Sequence, residues 1–131
     1  MRIARDMVDE MIAHAREDAP NECCGMVAAN DGAMVKVYRA RNAEDSPLRF
    51  RIDPEEQLQL HNAIDSAGLE LVAIYHSHTG SAAYPSQTDV NLALYPDAVY
   101  LIISLENSDD PETRGFWIRD GKIDDAGLEI V

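Results

Sequence analysis

Lysine is nearly missing from this chain. Of its 11 basic residues only Lys36 and Lys122 are lysines, set against 24 acidic residues. The resulting formal charge of −13 argues against nucleic acid as a partner, because phosphates are repelled by such a surface. An acidic, lysine-poor composition suits a salt-rich cytoplasm, where self-repulsion is screened. A GC-rich genome accounts for the same bias. Cysteine is equally scarce, with Cys23 and Cys24 adjacent. Neighbouring cysteines rarely bridge, because the ring strains the peptide between them, so no disulfide framework is expected and a reducing compartment fits. They also lack zinc-finger spacing, which leaves them as small buried hydrophobes at the start of a strand. No apolar run approaches the ~20 residues of a membrane span. The first residues lead into an amphipathic pattern and not into a secretory leader. The expectation is a cytoplasmic protein of one domain, residues 1–131, without repeats or linkers.

What is present reads as alternating helices and strands. Met7, Val8, Met11, Ile12 and Ala15, led by Ile3, recur at helical steps and predict a helix over 5–17, closed by Pro20. His14 near its end is expected to face solvent and the helix C-terminus. A strand from about Cys23 to Ala29, the turn Asn30-Asp31-Gly32 and a strand over 33–38 form a hairpin. Glu22, at the lip of the first strand, reads locally as an ordinary exposed carboxylate. Leu48-Arg-Phe-Arg-Ile52 alternates and predicts a short half-buried strand. Asp53-Pro54 then caps a helix ending at Gly68, with Leu60, Ile64 and Ala67 inward. His61 beside that stripe is expected to be a packing residue. Strands are expected over 69–75 and 99–104, with a helix from Ser86 to about Leu94 between them. A closing hairpin, 113–119 with 123–131, turns at Asp120-Gly121.

The run Tyr75-His76-Ser77-His78 follows the strand over 69–75, whose near-continuous apolar character predicts a central position covered on both faces. Residues i and i+2 of an extended chain point the same way, so His76 and His78 face one side and Ser77 the other. Asp89 follows after ten residues. Two imidazoles and a carboxylate hold a tetrahedral divalent ion with one position open, as hydrolytic chemistry requires. Ser86-x-x-Asp89 has a second explanation as a helix-capping box. That explanation leaves the two same-facing histidines unaccounted for.

His76-x-His78-x(10)-Asp89 with the embedded Ser86-x-x-Asp89, and Glu22 upstream before Cys23-Cys24-Gly25, resembles the JAMM (MPN+) metalloprotease motif. The order of elements along nearly the whole chain resembles that family too. Thr79 stands where many eukaryotic members have proline. The form Y-H-S-H-T…A-Y-P-S-x-T-D is similar to the prokaryotic Mec+-like and archaeal single-domain, desampylase-like branch.

The resemblance implies an α/β fold, a single JAMM/MPN domain that is cytidine-deaminase-like, with a mixed central β-sheet flanked by helices. It implies Zn2+ held by His76, His78 and Asp89, Glu22 as general base, and Ser86 as a donor to the oxyanion. The implied activity is a zinc peptidase or isopeptidase acting after the C-terminal Gly-Gly of a ubiquitin-like modifier or sulfur-carrier protein. Release of cysteine from such a carrier is the alternative within the family. A non-catalytic binding scaffold is the alternative of another class. A zinc deaminase would need a P-C-x-x-C ligand pair, which this sequence lacks. A side-chain-free Gly-Gly tail is expected to be gripped by strand addition to a sheet edge.

Overall fold

The computed structural model describes residues 1–131. In chain order the elements are β1 (Arg2–Ile3), α1 (Arg5–Asp18), β2 (Cys24–Asn30), β3 (Ala33–Ala40), α2 (Pro54–Ser66) and β4 (Glu70–His78). They continue with α3 (Gln87–Leu92), β5 (Val99–Ser104), β6 (Glu112–Arg119), β7 (Lys122–Asp125) and β8 (Glu129–Ile130). Six strands form one mixed sheet in the order β3-β2-β4-β5-β6-β7, with β4 and β5 parallel and the other pairs antiparallel. The expected α/β class and mixed central sheet are therefore observed.

The central strands bury both faces. On one side Val8, Met11 and Ala15 of α1 pack on Val27, Ala73, Tyr75 and Leu101. On the other, Ile64 of α2 packs on Met26, Ile74 and Tyr100. Period-two alternation along β4 thus sends Ala73 and Tyr75 toward α1, and Ile74 toward α2. His76 and His78 continue the α2 side. Burial of these apolar faces, at roughly 25 cal/mol per Å2, is the main force holding the sheet between its helices. Gly25 is required opposite Tyr75 in the β2–β4 pair: a Cβ there would lie 2.3 Å from the Tyr75 ring and 2.4 Å from the Tyr38 carbonyl oxygen.

Local chemistry sets the element ends as expected. Asp53 accepts from Glu55 N at 3.1 Å, with Pro54 opening α2 and Gly68 at φ 71° ending it. Asp31-Gly32 and Asp120-Gly121 both have positive φ at the two turn positions, which suits a tight hairpin between right-twisted strands.

Several expectations are corrected. Ala67, expected inward, is exposed where α2 ends, and of that helix only Ile64 is fully buried. Leu48–Ile52 is not a strand. Only an isolated Asn42–Ile52 bridge forms, and Leu48 is 76% exposed. The Asn42 side chain takes the Arg51 amide and the Arg49 carbonyl, the groups a ladder would have used. The alternation is real, because Phe50 and Ile52 turn inward onto the α2-side core, but a loop produces it. His14 does not face solvent. It is 5% exposed, with Nδ1 2.7 Å from the Tyr75 hydroxyl and Nε2 3.3 Å from Asp18. It follows Met11 by three residues and so shares the buried face of α1. Finally, 123–131 is not one strand. β7 stops at Asp125, the chain turns at Gly127, and β8 pairs in parallel with β1, tying the two ends together.

Candidate metal centre

β4 extends three residues beyond the apolar run and ends on His76-Ser77-His78. Ser77 points away from the histidines, toward the loop before β2. Its Oγ accepts from Cys23 N at 2.8 Å, and its own amide donates to Cys23 O at 3.2 Å. Thr79 Oγ1 donates to Pro20 O at 3.1 Å. These bonds stitch the end of β4 to the stretch that carries Glu22, more than fifty residues upstream.

Asp89 arrives on α3. Ser86 Oγ accepts from Asp89 N at 3.0 Å, and Asp89 Oδ2 accepts from Ser86 N at 2.9 Å. The capping-box and metal-site explanations of Ser86-x-x-Asp89 therefore hold together: the cap fixes the carboxylate that faces the histidines.

The three side chains converge. His76 Nε2 and His78 Nε2 are 3.2 Å apart, and Asp89 Oδ2 lies 3.1 and 2.9 Å from them. All three residues are buried. Bonds of about 2.0–2.1 Å in a tetrahedral zinc site place ligand atoms about 3.3 Å apart, so the observed triangle matches such an ion closely. His78 Nδ1 sits 2.9 Å from Ala82 O, which requires the proton on Nδ1 and leaves the Nε2 lone pair for a metal. His76 lacks such a partner: its Nδ1 is buried without a hydrogen bond. Its ring is held by stacking on Phe50, with centroids 4.6 Å apart. Two imidazole nitrogens and a carboxylate oxygen, aimed at one point in a buried setting, form a donor set for a divalent cation.

The charges respond to one another. Burial raises the Asp89 carboxyl, but hydrogen bonds from His76 and His78 outweigh it and hold the group below the usual carboxylate range. For His78, burial opposes protonation, while the Asp89 bond and the Ala82 carbonyl overcome it and raise its pKa. Glu22 contradicts the expectation of an exposed carboxylate. It is 3% exposed, and its Oε1 is buried with no hydrogen-bond partner. Burial first, and the Asp89 charge second, push it up to about 8, with His78 pulling the other way. The carboxyl thus lies within electrostatic reach of Asp89 and His78 and keeps one oxygen uncommitted.

Ser86 is exposed at the rim. Its Oγ accepts the Asp89 amide, a bond that does not use the hydroxyl proton. Two contributors are not singled out as site residues by the sequence. Asn42 is 4% exposed and donates to the carbonyls of Glu22 and Arg49 at 3.1 and 3.0 Å. It also accepts from the amides of Glu44 and Arg51 at 3.0 and 3.2 Å. An asparagine in a polar loop looks like any turn residue. The alternation at 48–52 was the only hint of Phe50. Cys23 and Cys24 are buried free thiols, and burial pushes Cys23 up to about 12, so neither is a reactive group.

The family model of prokaryotic homologs of the JAB domain matches residues 4–119. The chain belongs to this JAMM/MPN+ family. It is 41% identical to a CysO-cysteine peptidase of Mycobacterium tuberculosis, covering 98% of this chain and 90% of that relative. A desampylase of Haloferax volcanii is 38% identical, over 79% of this chain and 80% of the relative. A solution structure of a protein from Desulfitobacterium hafniense superposes with a TM-score of 0.90 at 34% identity, covering 100% of this chain and 93% of that one. The fold alone is shared with a structure described as a JAMM metalloprotease-like zinc site in the proteasome and signalosome. There the TM-score is 0.58 at 16% identity, over 100% of this chain and 97% of that one. This JAMM domain is a zinc metalloprotease, and the motif-bearing end of β4 is where its metal belongs.

Proposed function

We propose that this JAMM domain, as one catalytic unit over residues 1–131, cleaves the bond after the C-terminal Gly-Gly of a ubiquitin-like modifier or sulfur-carrier protein. The observation that carries this reading is the convergence of His76 Nε2, His78 Nε2 and Asp89 Oδ2 beside a buried, uncommitted Glu22 carboxylate. His76, His78 and Asp89 hold the zinc. When bound, the ion supplies Lewis acidity and lowers the pKa of water to about 7. Glu22 takes a proton from the attacking water and delivers it to the leaving amine as the amide bond breaks. The Ser86 hydroxyl donates to the oxygen that gains charge in the transition state, a contribution of roughly 3 kcal/mol for such a donor. The Gly-Gly tail binds extended, by backbone pairing, since it has no side chains to fill pockets.

Two leaving groups fit this chemistry. One is the lysine ε-amine of a conjugate, as the similarity to a desampylase supports. The other is a terminal cysteine, as the similarity to a CysO-cysteine peptidase over nearly the whole chain supports. An inert scaffold is disfavoured by the complete set of Glu22, His76, His78 and Asp89. Free cysteines and the net charge of −13 fit a cytoplasmic protein working on another protein and not on nucleic acid or membrane. No helix is long and apolar enough to cross a membrane. The test is incubation with linear and lysine-linked Gly-Gly conjugates, with and without chelator, read by mass spectrometry. Chelator-sensitive cleavage directly after the second glycine is expected, and intact substrates under all conditions would refute the proposal.

A further inference from the structure

An apolar cavity of about 230 Å3 opens beside the metal centre, with His76 and Asp89 among its walls. This is below the roughly 300–1,000 Å3 of pockets for drug-sized ligands and suits a single amino-acid residue. Phe50, Ile52, Ile74, Leu92, Tyr95 and Tyr100 supply its aromatic and aliphatic surface. The polar groups of that wall are already engaged. The Tyr100 hydroxyl oxygen accepts from the amides of Leu94 and Tyr95 at 3.0 Å each, and the Tyr95 hydroxyl meets Gln57 and His61. Arg51, also in the lining, is neutralised by Glu44, 3.6 Å away.

Arg49, which also lines the cavity, is different. Every other arginine of the chain holds a carboxylate or a backbone carbonyl with its guanidinium. Arg49 holds neither, in a chain with 24 acidic residues. The backbone around it is fixed by Asn42, which binds both the Arg49 carbonyl and the Glu22 carbonyl. One uncommitted cation, in a cavity whose surface is largely apolar and whose other charged side chains are paired, calls for a ligand with a small apolar body and one anionic group.

We infer that this cavity receives the residue on the leaving side of the scissile bond, and that Arg49 binds the free α-carboxylate of that residue. The inference rests on the peptidase reading above. Two glycines present no side chain and have no use for an apolar cavity, so the cavity belongs to the other side of the bond. A substrate whose scissile carbonyl reaches the His76–His78–Asp89 triad places its next residue against His76 and Asp89, the walls shared with the cavity. A C-terminal cysteine carries a small apolar thiol body and a free carboxylate, and both features are met. A lysine ε-amine inside a conjugated protein brings no carboxylate to that place. The specificity assigned is therefore carboxypeptidase-like: release of one terminal residue from the Gly-Gly tail.

The test uses the zinc-loaded protein and one carrier tail made in three forms: ending in Gly-Gly-Cys with a free acid, ending in Gly-Gly-Cys amide, and lysine-linked. Wild type is expected to cleave the acid about 10–100-fold more efficiently in kcat/KM than the amide, the range for a charged hydrogen bond. In R49A that ratio is expected to fall to about one, with most of the change in KM; R49K is expected to restore part of it. Arg49 is exposed and its side chain holds nothing, so the variants keep fold and zinc content. An unchanged acid preference in R49A, or equal cleavage of acid and amide by wild type, would overturn the clamp while leaving the peptidase reading intact. No cleavage of any of the three forms would overturn both.

Discussion

Glu22 is the residue on which stability and chemistry pull in opposite directions. In metal-free protein its carboxyl is neutral in both folded and unfolded states below about pH 4.5, and costs nothing. Because its folded value is pushed up to about 8, the unfolded chain gains by ionising between those limits and the folded one does not. Stability therefore falls as pH rises through that window. His78, also raised, acts in the same direction: its contribution is present below 6.5 and fades as pH passes its folded value. Asp89, held low, contributes above 3.8 and loses that contribution only in acid. Thermal melts in chelator should show the metal-free protein weakening from about pH 5 to 8, with Glu22 responsible for up to about 5 kcal/mol. Glu22→Gln should flatten that slope; a slope unchanged from wild type would mean the carboxyl is not strained. In the proposed mechanism the same residue carries the proton. Glu22→Ala is expected to lower kcat about 10²–10⁴-fold with one zinc still bound, checked by metal analysis beside rate measurements.

At the scale of elements, α3 and the 42–52 loop are the two devices that build the site. α3 has only six residues, too few to persist without its cap and packing. Ser86→Ala removes the cap bond to Asp89 N and should cost about 1 kcal/mol of stability. It also removes the proposed oxyanion donor, so kcat should fall about 10²-fold; a variant with lowered melting temperature but wild-type kcat would leave Ser86 a cap alone. The capping box, the same-facing histidines and the buried character of β4 were all legible in the sequence, because each depends on spacing within one element. The loop was not. Its geometry depends on Asn42 bonding to residues 44, 49 and 51 and to Glu22, contacts that follow no local period. Glu22 illustrates the same boundary: resemblance to a family assigned its role, and only the packing shows that it is buried. His14 was misplaced because its partner, Tyr75, lies sixty-one residues away on the back of the motif strand.

For the whole molecule, charge is the dominant feature. A net −13 spread over 131 residues opposes compaction, and salt relieves it. Raising ionic strength from about 0.1 to 1 M shortens the screening length from about 10 to 3 Å, so the melting temperature should rise over that range. A melting temperature that stays flat or falls would show that self-repulsion is not limiting. The closure of the fold by β1 and β8 was beyond sequence reading, since two-residue strands at opposite ends of a chain leave no periodicity to detect. The order of the central elements was readable, because long apolar strands and capped helices alternate. The central claim spans all three scales: Glu22 and the β4–α3 motif act as one zinc-dependent peptidase on a Gly-Gly tail. The most direct measurement is zinc content together with mass-spectrometric cleavage of a Gly-Gly–tailed substrate, before and after chelation, for wild type and the His76→Ala/His78→Ala double variant. The account predicts about one zinc per chain, cleavage that stops on chelation and returns with added zinc, and neither metal nor cleavage in the double variant. Stoichiometric zinc or persistent cleavage in that variant would contradict it.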